Sequence, residues 1–156
     1  TEGEKLGFVG IPFFAPELFR SVRCKNPFKE KQLRQGLQEL GEEGAIQVFT
    51  DDLGHIYLGA VGILQFEIVA QRLATEYRVD AIYESTEVST ARWLVFPDDK
   101  GKTREEFEAE QASRLATDAD GNLVYLATSV YNLQTTQKHW ENVQFLTTRE
   151  MGQKFN

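Results

Sequence analysis

The stretch that decides the fold is FFAPELFRSVRCKNPFKEKQLRQGLQELGEEGAIQVF, residues 13–49. Its first part, Leu18–Cys24, alternates in polarity and predicts a β-strand. Because Arg20 interrupts the apolar parity of this segment, we expect the strand to lie at the edge of a sheet. Asn26 and Pro27 follow and favour the start of a helix, since Asn caps helix N-termini and Pro suits the first helical position.

A helix is predicted directly after this start. Leu33, Leu37 and Leu40 are spaced by four and three residues, which places them on one helical face. Gly41 and Gly44 follow and offer the left-handed backbone positions at which helices end. The segment therefore predicts a strand followed by an amphipathic helix.

The next segments repeat the same elements in a different order. Residues 45–50 and 55–62 are two short strand patterns joined by a turn, and they predict a hairpin. A helical period in residues 64–77 leads to a last strand at 79–84. The order strand, helix, strand, strand, helix, strand predicts an α+β fold of the ferredoxin-like or split βαβ plan, with two helices on one face of an antiparallel sheet.

A second small α/β lobe is predicted to follow. Its first helix is expected to open on a capping box formed by Thr103 and Glu106 and to run to about Leu115. Three strand patterns and a further helix at 130–140 surround it. Periodicity does not decide whether these strands extend the first sheet or form a sheet of their own, and we expect a separate small sheet. The predicted organisation is a linker from a preceding domain at 1–12, a ferredoxin-like lobe at 13–88, a second lobe at 89–150 and a tail at 151–156.

Composition excludes several classes of protein. With 41% hydrophobic and 26% charged residues in 156, the chain is typical of a soluble globular protein. No apolar stretch reaches the roughly 18 residues of a membrane span, and no signal peptide opens the chain. The single cysteine, Cys24, cannot form an internal disulfide and fits a reducing cytoplasm.

The charge of the chain is unevenly distributed. The net charge is −7, which argues against a nucleic-acid partner, yet residues 17–34 hold six basic and two acidic residues. This local charge of +4 leaves −11 for the rest of the chain. Two interpretations stay open: a basic face for RNA phosphates, and an ordinary solvated strand and helix surface.

Patterns that would indicate catalysis or metal binding are incomplete. Gly101 to Thr103 copies the end of a phosphate-binding loop, but Phe96 occupies the position of the earlier glycine. The residues Asp51, Asp52 and His55 are more typical of a turn than of a metal site.

The segment GAVG, residues 59–62, lies where a strand passes into a helix. Its backbone amides would suit an anion at a helix start, and its glycines would equally suit a tight turn. The sequence leaves both interpretations open.

Several long segments resemble one known family in the same order: FAPELFR, KQLRQGLQELGEEGAIQVF, GAVGILQFEIVAQRL, YESTEVSTARW, NLVYLATSVYNL and VQFLTTRE. Over Ile11 to Glu150 the chain is similar to the carboxy-terminal region of the bacterial peptide chain release factor three family of translational GTPases. The resemblance implies a cytoplasmic ribosome-docking domain that faces small-subunit RNA and protein, and its own GTPase domain, with no membrane or DNA partner. GTP and Mg²⁺ would belong to the absent GTPase domain, so no cofactor, metal or catalytic residue is expected here.

Basic residues are the candidates for ribosome contact. The predicted set comprises Arg20, Arg23, Lys25, Lys29, Lys31 and Arg34, with Arg72, Arg78 and Arg92 as further candidates.

Two other classes of protein remain open. One is a stand-alone ferredoxin-like module that binds a regulatory ligand and dimerises through its sheet edges. The other is an acylphosphatase-like enzyme, for which Arg23 is near the right place but the Gly-rich loop is missing.

Overall fold

The computed structural model describes residues 12–97 and 102–150. The strands are β1 (Pro12–Phe14), β2 (Leu18–Cys24), β3 (Gln47–Thr50), β4 (Ile56–Ala60), β5 (Ala81–Glu84), β6 (Thr90–Val95), β7 (Leu115–Thr117), β8 (Leu123–Ala127), β9 (Gln144–Leu146) and β10 (Thr148–Glu150). The helices are α1 (Glu30–Glu43), α2 (Ile63–Glu76), α3 (Lys102–Glu110) and α4 (Val130–His139), with 3₁₀ turns at Pro27–Lys29 and Ala112–Arg114. The α+β class is confirmed. The predicted tail and nearly all of the predicted linker lie outside the described residues.

One antiparallel sheet of eight strands runs through both halves of the chain, in the order β5-β2-β4-β3-β7-β8-β6-β9. The prediction of a separate second sheet is therefore wrong. The two halves join where β3 pairs with β7, at Thr50 and Thr117. The cause of the error is β7, which begins at the residue where the predicted helix was expected to end and is too short to show a period of its own.

The two halves have matching strand arrangements. Counting only the strands of the main sheet, the first half supplies β2 to β5 and the second half supplies β6 to β9. Outward from the β3–β7 junction, each half presents its second, third, first and fourth strand, and every neighbouring pair is antiparallel. Each half also runs strand, helix, strand, strand, helix, strand. Only three strands were predicted in the second half, so this correspondence was not predicted. The ferredoxin-like name for the first half stays a prediction.

The expectation that Leu18–Cys24 is an edge strand is wrong, because β2 pairs with β4 on one side and β5 on the other. Arg20 is accommodated inside the sheet by two contacts. Its guanidinium carbon lies 5.4 Å from the centre of the Phe66 ring, and its Nη1 donates to the carbonyl oxygen of Phe19 at 2.8 Å. The stem of a long cationic side chain can thus cover an apolar surface while its head finds an acceptor.

The first helix buries the predicted leucine face. Leu33, Leu37 and Leu40 are each at most 1% exposed and pack in one core between the sheet and helices α1 and α2. Gly44 ends the helix with a φ of 88°, as predicted. Gly41 lies within the helix instead, where it is buried close to Val48.

The opposite face of the sheet carries a core that both halves share. Its buried members are Phe19, Phe49, Ala91, Trp93, Ala116, Val124 and Leu126.

A two-stranded ribbon of β1 and β10 lies apart from the main sheet. Pro16, in the segment after β1, packs so closely on Gly59 that no Cβ would fit there. A third core, around Phe107, lies beneath α3 and α4. In the described ranges no helix is both long and apolar enough to cross a bilayer.

Two local predictions in the second half are wrong. Helix α3 begins at Lys102 and ends at Glu110, so Thr103 lies inside the helix and does not cap it. The closing strand that the pattern VQFLTT predicts at 143–148 is divided between β9, which joins the main sheet, and β10, which pairs with β1. Local patterns cannot show that the chain leaves one sheet for another between adjacent strands.

Tyr83 provides a test of how β5 packs on α2. Its hydroxyl donates to the carbonyl oxygen of Phe66 at 2.8 Å, and burial raises the pKa of Tyr83 from 10.0 to about 12. The protonated phenol therefore contributes stability below pH 10 that is lost as the pH rises towards 12. We expect the urea midpoint to fall across this interval, and to fall less steeply for Tyr83→Phe. Identical pH profiles for the two proteins would contradict this burial effect.

Candidate nucleic-acid interface

The nine candidate cations differ in what their charged groups contact. Arg23 is paired with Glu84 across neighbouring strands, with Nε 3.2 Å from the carboxylate oxygen. Arg34 donates through Nη2 to Glu30 at 2.9 Å and to the carbonyl oxygen of Gly54 at 2.8 Å. The charge of these two arginines is largely matched within the protein.

Arg72 is the most heavily paired candidate. Its Nε and Nη2 donate to the two carboxylate oxygens of Glu76 at 2.7 and 3.1 Å, and its Nη1 donates to Glu43 at 2.9 Å. These hydrogen bonds raise the pKa of Arg72 and lower the pKa of Glu76. Because Glu43 closes α1 and Glu76 closes α2, Arg72 links the ends of the two helices.

Two more arginines are half-buried. Arg20 covers Phe66 as described above, and Arg92 donates to Thr90 Oγ1 at 2.9 Å and to the carbonyl oxygen of Ala91 at 2.8 Å. Burial lowers the pKa of Arg92. Both guanidinium groups therefore make their contacts within the protein.

The other four candidates have no carboxylate partner in the described part of the chain: Lys25, Lys29, Lys31 and Arg78. Three of these four, all except Lys31, line one open hollow of about 430 Å³. Its other lining residues are Asn26, Pro27 and the acidic Asp80. The structure thus brings together residues separated by some fifty positions in the sequence.

Backbone contacts hold one side of this hollow. The Lys25 amide donates to the carbonyl oxygen of Asp80 at 3.0 Å and so continues the pairing of β2 with β5. Asn26 then caps the 3₁₀ turn, with its Oδ1 accepting from the Phe28 amide at 3.0 Å. Pro27 is the first residue of that turn, as the sequence predicted for a helix start.

The other side of the hollow is the end of α2. Arg78 has a φ of 54°, the left-handed conformation that usually belongs to Gly at a helix end. The amides of Tyr77 and Val79 both donate to the carbonyl oxygen of Leu73 and close the helix. An arginine here costs roughly 1–2 kcal/mol more than Gly would. The Arg78 carbonyl oxygen accepts from Lys29 Nζ at 2.8 Å, which joins the two sides.

The other patterns from the sequence have local explanations. The amides of Val61 and Gly62 donate to Gln65 Oε1 at 2.8 and 3.2 Å, so the GAVG segment forms a turn that is satisfied from within the chain. Asp51 accepts from the amide of His55 at 2.9 Å and closes the turn of the hairpin. Across residues 12–97 and 102–150 no group of His, Cys, Asp and Glu side chains is arranged to hold a metal ion.

Sequence reasoning missed a buried charge cluster on the opposite face of the sheet. Arg149 Nε lies 2.9 Å from Asp118 Oδ2, and Arg149 Nη2 lies 2.8 Å from Asp120 Oδ2. Trp93 Nε1 also donates to Asp118, at 3.1 Å, and the guanidinium carbon lies 5.7 Å from the centre of the Trp93 ring. Arg149 is remote from these aspartates in the sequence, so no local pattern indicated the pairing.

Comparisons with known proteins agree with the resemblance noted in the sequence. The family described as "Class II release factor RF3, C-terminal domain" matches residues 8–137. A curated protein named "Peptide chain release factor 3", from Aromatoleum aromaticum, is 61% identical over all 156 residues. The chain spans 28% of the length of that relative. On the match over most of its length, the chain belongs to the family of class II release factor RF3 carboxy-terminal domains.

Proposed function

We propose that this chain is the ribosome-docking domain of a cytoplasmic translation-termination GTPase that promotes departure of the codon-reading release factors. The family match over residues 8–137 is the observation that carries this proposal. The partners are RNA and protein of the small ribosomal subunit, and the GTPase domain of the parent protein. The unpaired cations around Lys25 and Arg78 support an RNA partner, because a cationic surface on a chain of net charge −7 favours a ligand with dense negative charge.

The domain would act by binding two rotational states of the ribosome with different affinity. A rigid domain that binds one rotational state of the ribosome better than another shifts the population towards that state. Coupling to the GTPase domain would then change which state is favoured. GTP and Mg²⁺ belong to the parent's GTPase domain in this proposal, and micromolar binding of GTP to this chain in a calorimetric titration would contradict it.

Ribosome binding is directly testable with the chain itself. We expect it to sediment with bacterial ribosomes, and the bound fraction to fall as KCl rises, since cation–phosphate contacts release counterions. The triple variant Lys29→Glu, Lys31→Glu, Arg34→Glu should bind at least about tenfold more weakly, because each reversal repels RNA phosphates. Lys31 and Arg34 lie on α1 away from its buried leucine face, and Lys29 lies in the 3₁₀ turn before the helix, so the fold should be retained.

A matched control is the single reversal Lys138→Glu on α4, in the other half of the chain. It should leave sedimentation unchanged. Absence of binding by the original chain at low salt would contradict the proposed function.

A further inference from the structure

We propose that the hollow lined by Lys25, Lys29 and Arg78, together with the side chain of Phe28, binds one unpaired nucleotide of RNA. The three cations hold a backbone phosphate, and the Phe28 ring stacks on the base. This inference rests on the proposed function, since it names the part of the ribosome that this surface would contact.

The backbone of Arg78 is the first observation. A left-handed φ of 54° at a helix end is a position where Gly would be more stable. The Arg78 side chain is exposed, and within the described ranges it has no carboxylate partner. A residue that carries strain, lines a hollow and has no carboxylate partner for its charge is better explained by a ligand than by stability.

The lysines add the geometry that a phosphate requires. Lys29 is half-buried, and its ammonium group is held against the Arg78 carbonyl oxygen at 2.8 Å, which fixes one donor beside the hollow. Lys25 is exposed and also lines the hollow. Among the described residues of the lining Asp80 is the one acidic residue, so the three cations outnumber it there. An ammonium group has three donors, and the one bond that Lys29 donates to Arg78 leaves two donors for a ligand.

Phe28 adds an exposed aromatic ring in the segment that forms one side of the hollow, although it is not one of the residues that line the hollow. It lies between Pro27 and Lys29 in the 3₁₀ turn and is 94% exposed, which is unusual for an aromatic ring. The turn is held by the Asn26 cap, so the ring is presented from a fixed backbone. An exposed aromatic ring beside a cationic groove is the arrangement that binds single-stranded nucleic acid. The same ring could insert into a protein pocket, and the combination with three cations favours RNA.

Two variants separate the phosphate contact from the stacking contact. Fluorescence titration with hexauridylate, between about 50 and 200 mM KCl, would give the affinity and its salt dependence. Arg78→Gly should weaken binding about tenfold and reduce the salt slope by roughly 0.7. Phe28→Ala should also weaken binding roughly tenfold while leaving the salt slope unchanged.

Stability measurements distinguish a binding role from a structural one. Arg78→Gly should have a urea midpoint equal to or higher than that of the original chain, because Gly relieves the left-handed strain. A lower midpoint would assign Arg78 to stabilising the end of α2 and would overturn its role as a ligand-binding residue. Tyr131→Ala and Lys138→Gln on α4 are the matched exposed controls, and both should bind RNA like the original chain.

The outcomes separate this inference from the proposed function. Wild-type RNA affinity for both Phe28→Ala and Arg78→Gly would overturn the nucleotide site. Weaker ribosome sedimentation of Phe28→Ala with unchanged RNA affinity would overturn it in favour of a protein partner, and the proposed function would stand. Binding of RNA by the chain without any sedimentation with ribosomes would support the site and contradict the proposed function.

Discussion

Replacement of Arg149 by alanine is expected to lower the free energy of unfolding by about 3–5 kcal/mol, the cost of removing one partner from a buried ion pair. The side chain is only 4% exposed and contacts both Asp118 and Asp120. It also lies over Trp93, so its loss opens a space in the core shared by both halves. The variant leaves the Asp118 carboxylate buried without its cation.

Urea unfolding followed by tryptophan fluorescence would measure this effect. Trp93 donates to Asp118 and lies beneath the guanidinium, so its native emission should also change. The matched control is Arg23→Ala, which breaks an exposed pair with Glu84 and should cost at most about 1 kcal/mol. Equal destabilisation by the two variants would contradict the predicted cost of leaving Asp118 buried without its cation.

The second large effect concerns the single sheet. Leu37→Ala in the first half should cost about 2–5 kcal/mol, because this side chain is 1% exposed in the core beneath α1. Both tryptophans, Trp93 and Trp140, lie in the second half. The halves share the sheet and the core containing Phe19 and Trp93. Leu37→Ala should therefore move the whole unfolding transition that tryptophan fluorescence reports to lower urea concentration.

Coincident transitions by tryptophan fluorescence and by far-ultraviolet circular dichroism are therefore expected. The partner variant is Phe107→Ala, which removes a fully buried ring that meets Phe96, Tyr125, Trp140 and Phe145 edge to face, and it should cost about 3–5 kcal/mol. It should shift the same single transition. Two separate transitions, with Leu37→Ala affecting only one of them, would show that the halves unfold independently.

Local elements of the fold were predictable from short patterns. Each of three correct predictions depends on residues close together along the chain: the leucine spacing in α1, the Asn26 cap, and the hairpin of β3 and β4. The prediction was wrong where the local signal was too short or ambiguous. Strand β7 has three residues, and Arg20 looks like an edge residue until its contact with Phe66 is known.

The candidate site, too, was only partly predictable from the sequence. The basic stretch was visible in the sequence, but its charge count did not show which side chains have partners. Arg23 pairs with a carboxylate 61 positions away and Arg72 with one 29 positions away. Phe28 was not singled out, because an exposed aromatic residue cannot be told from a buried one by composition.

The sequence by itself determined the family, the α+β class and the helices that carry a clear apolar face, because these depend on residue order and short-range periodicity. Only the tertiary structure decided that the two halves share one sheet, that Arg149 is buried with two aspartates, and that Lys25, Lys29 and Arg78 surround one hollow. These features depend on side chains that are far apart along the chain and meet only when the strands pair. Strand pairing is set by the packing of whole faces, which no local pattern contains.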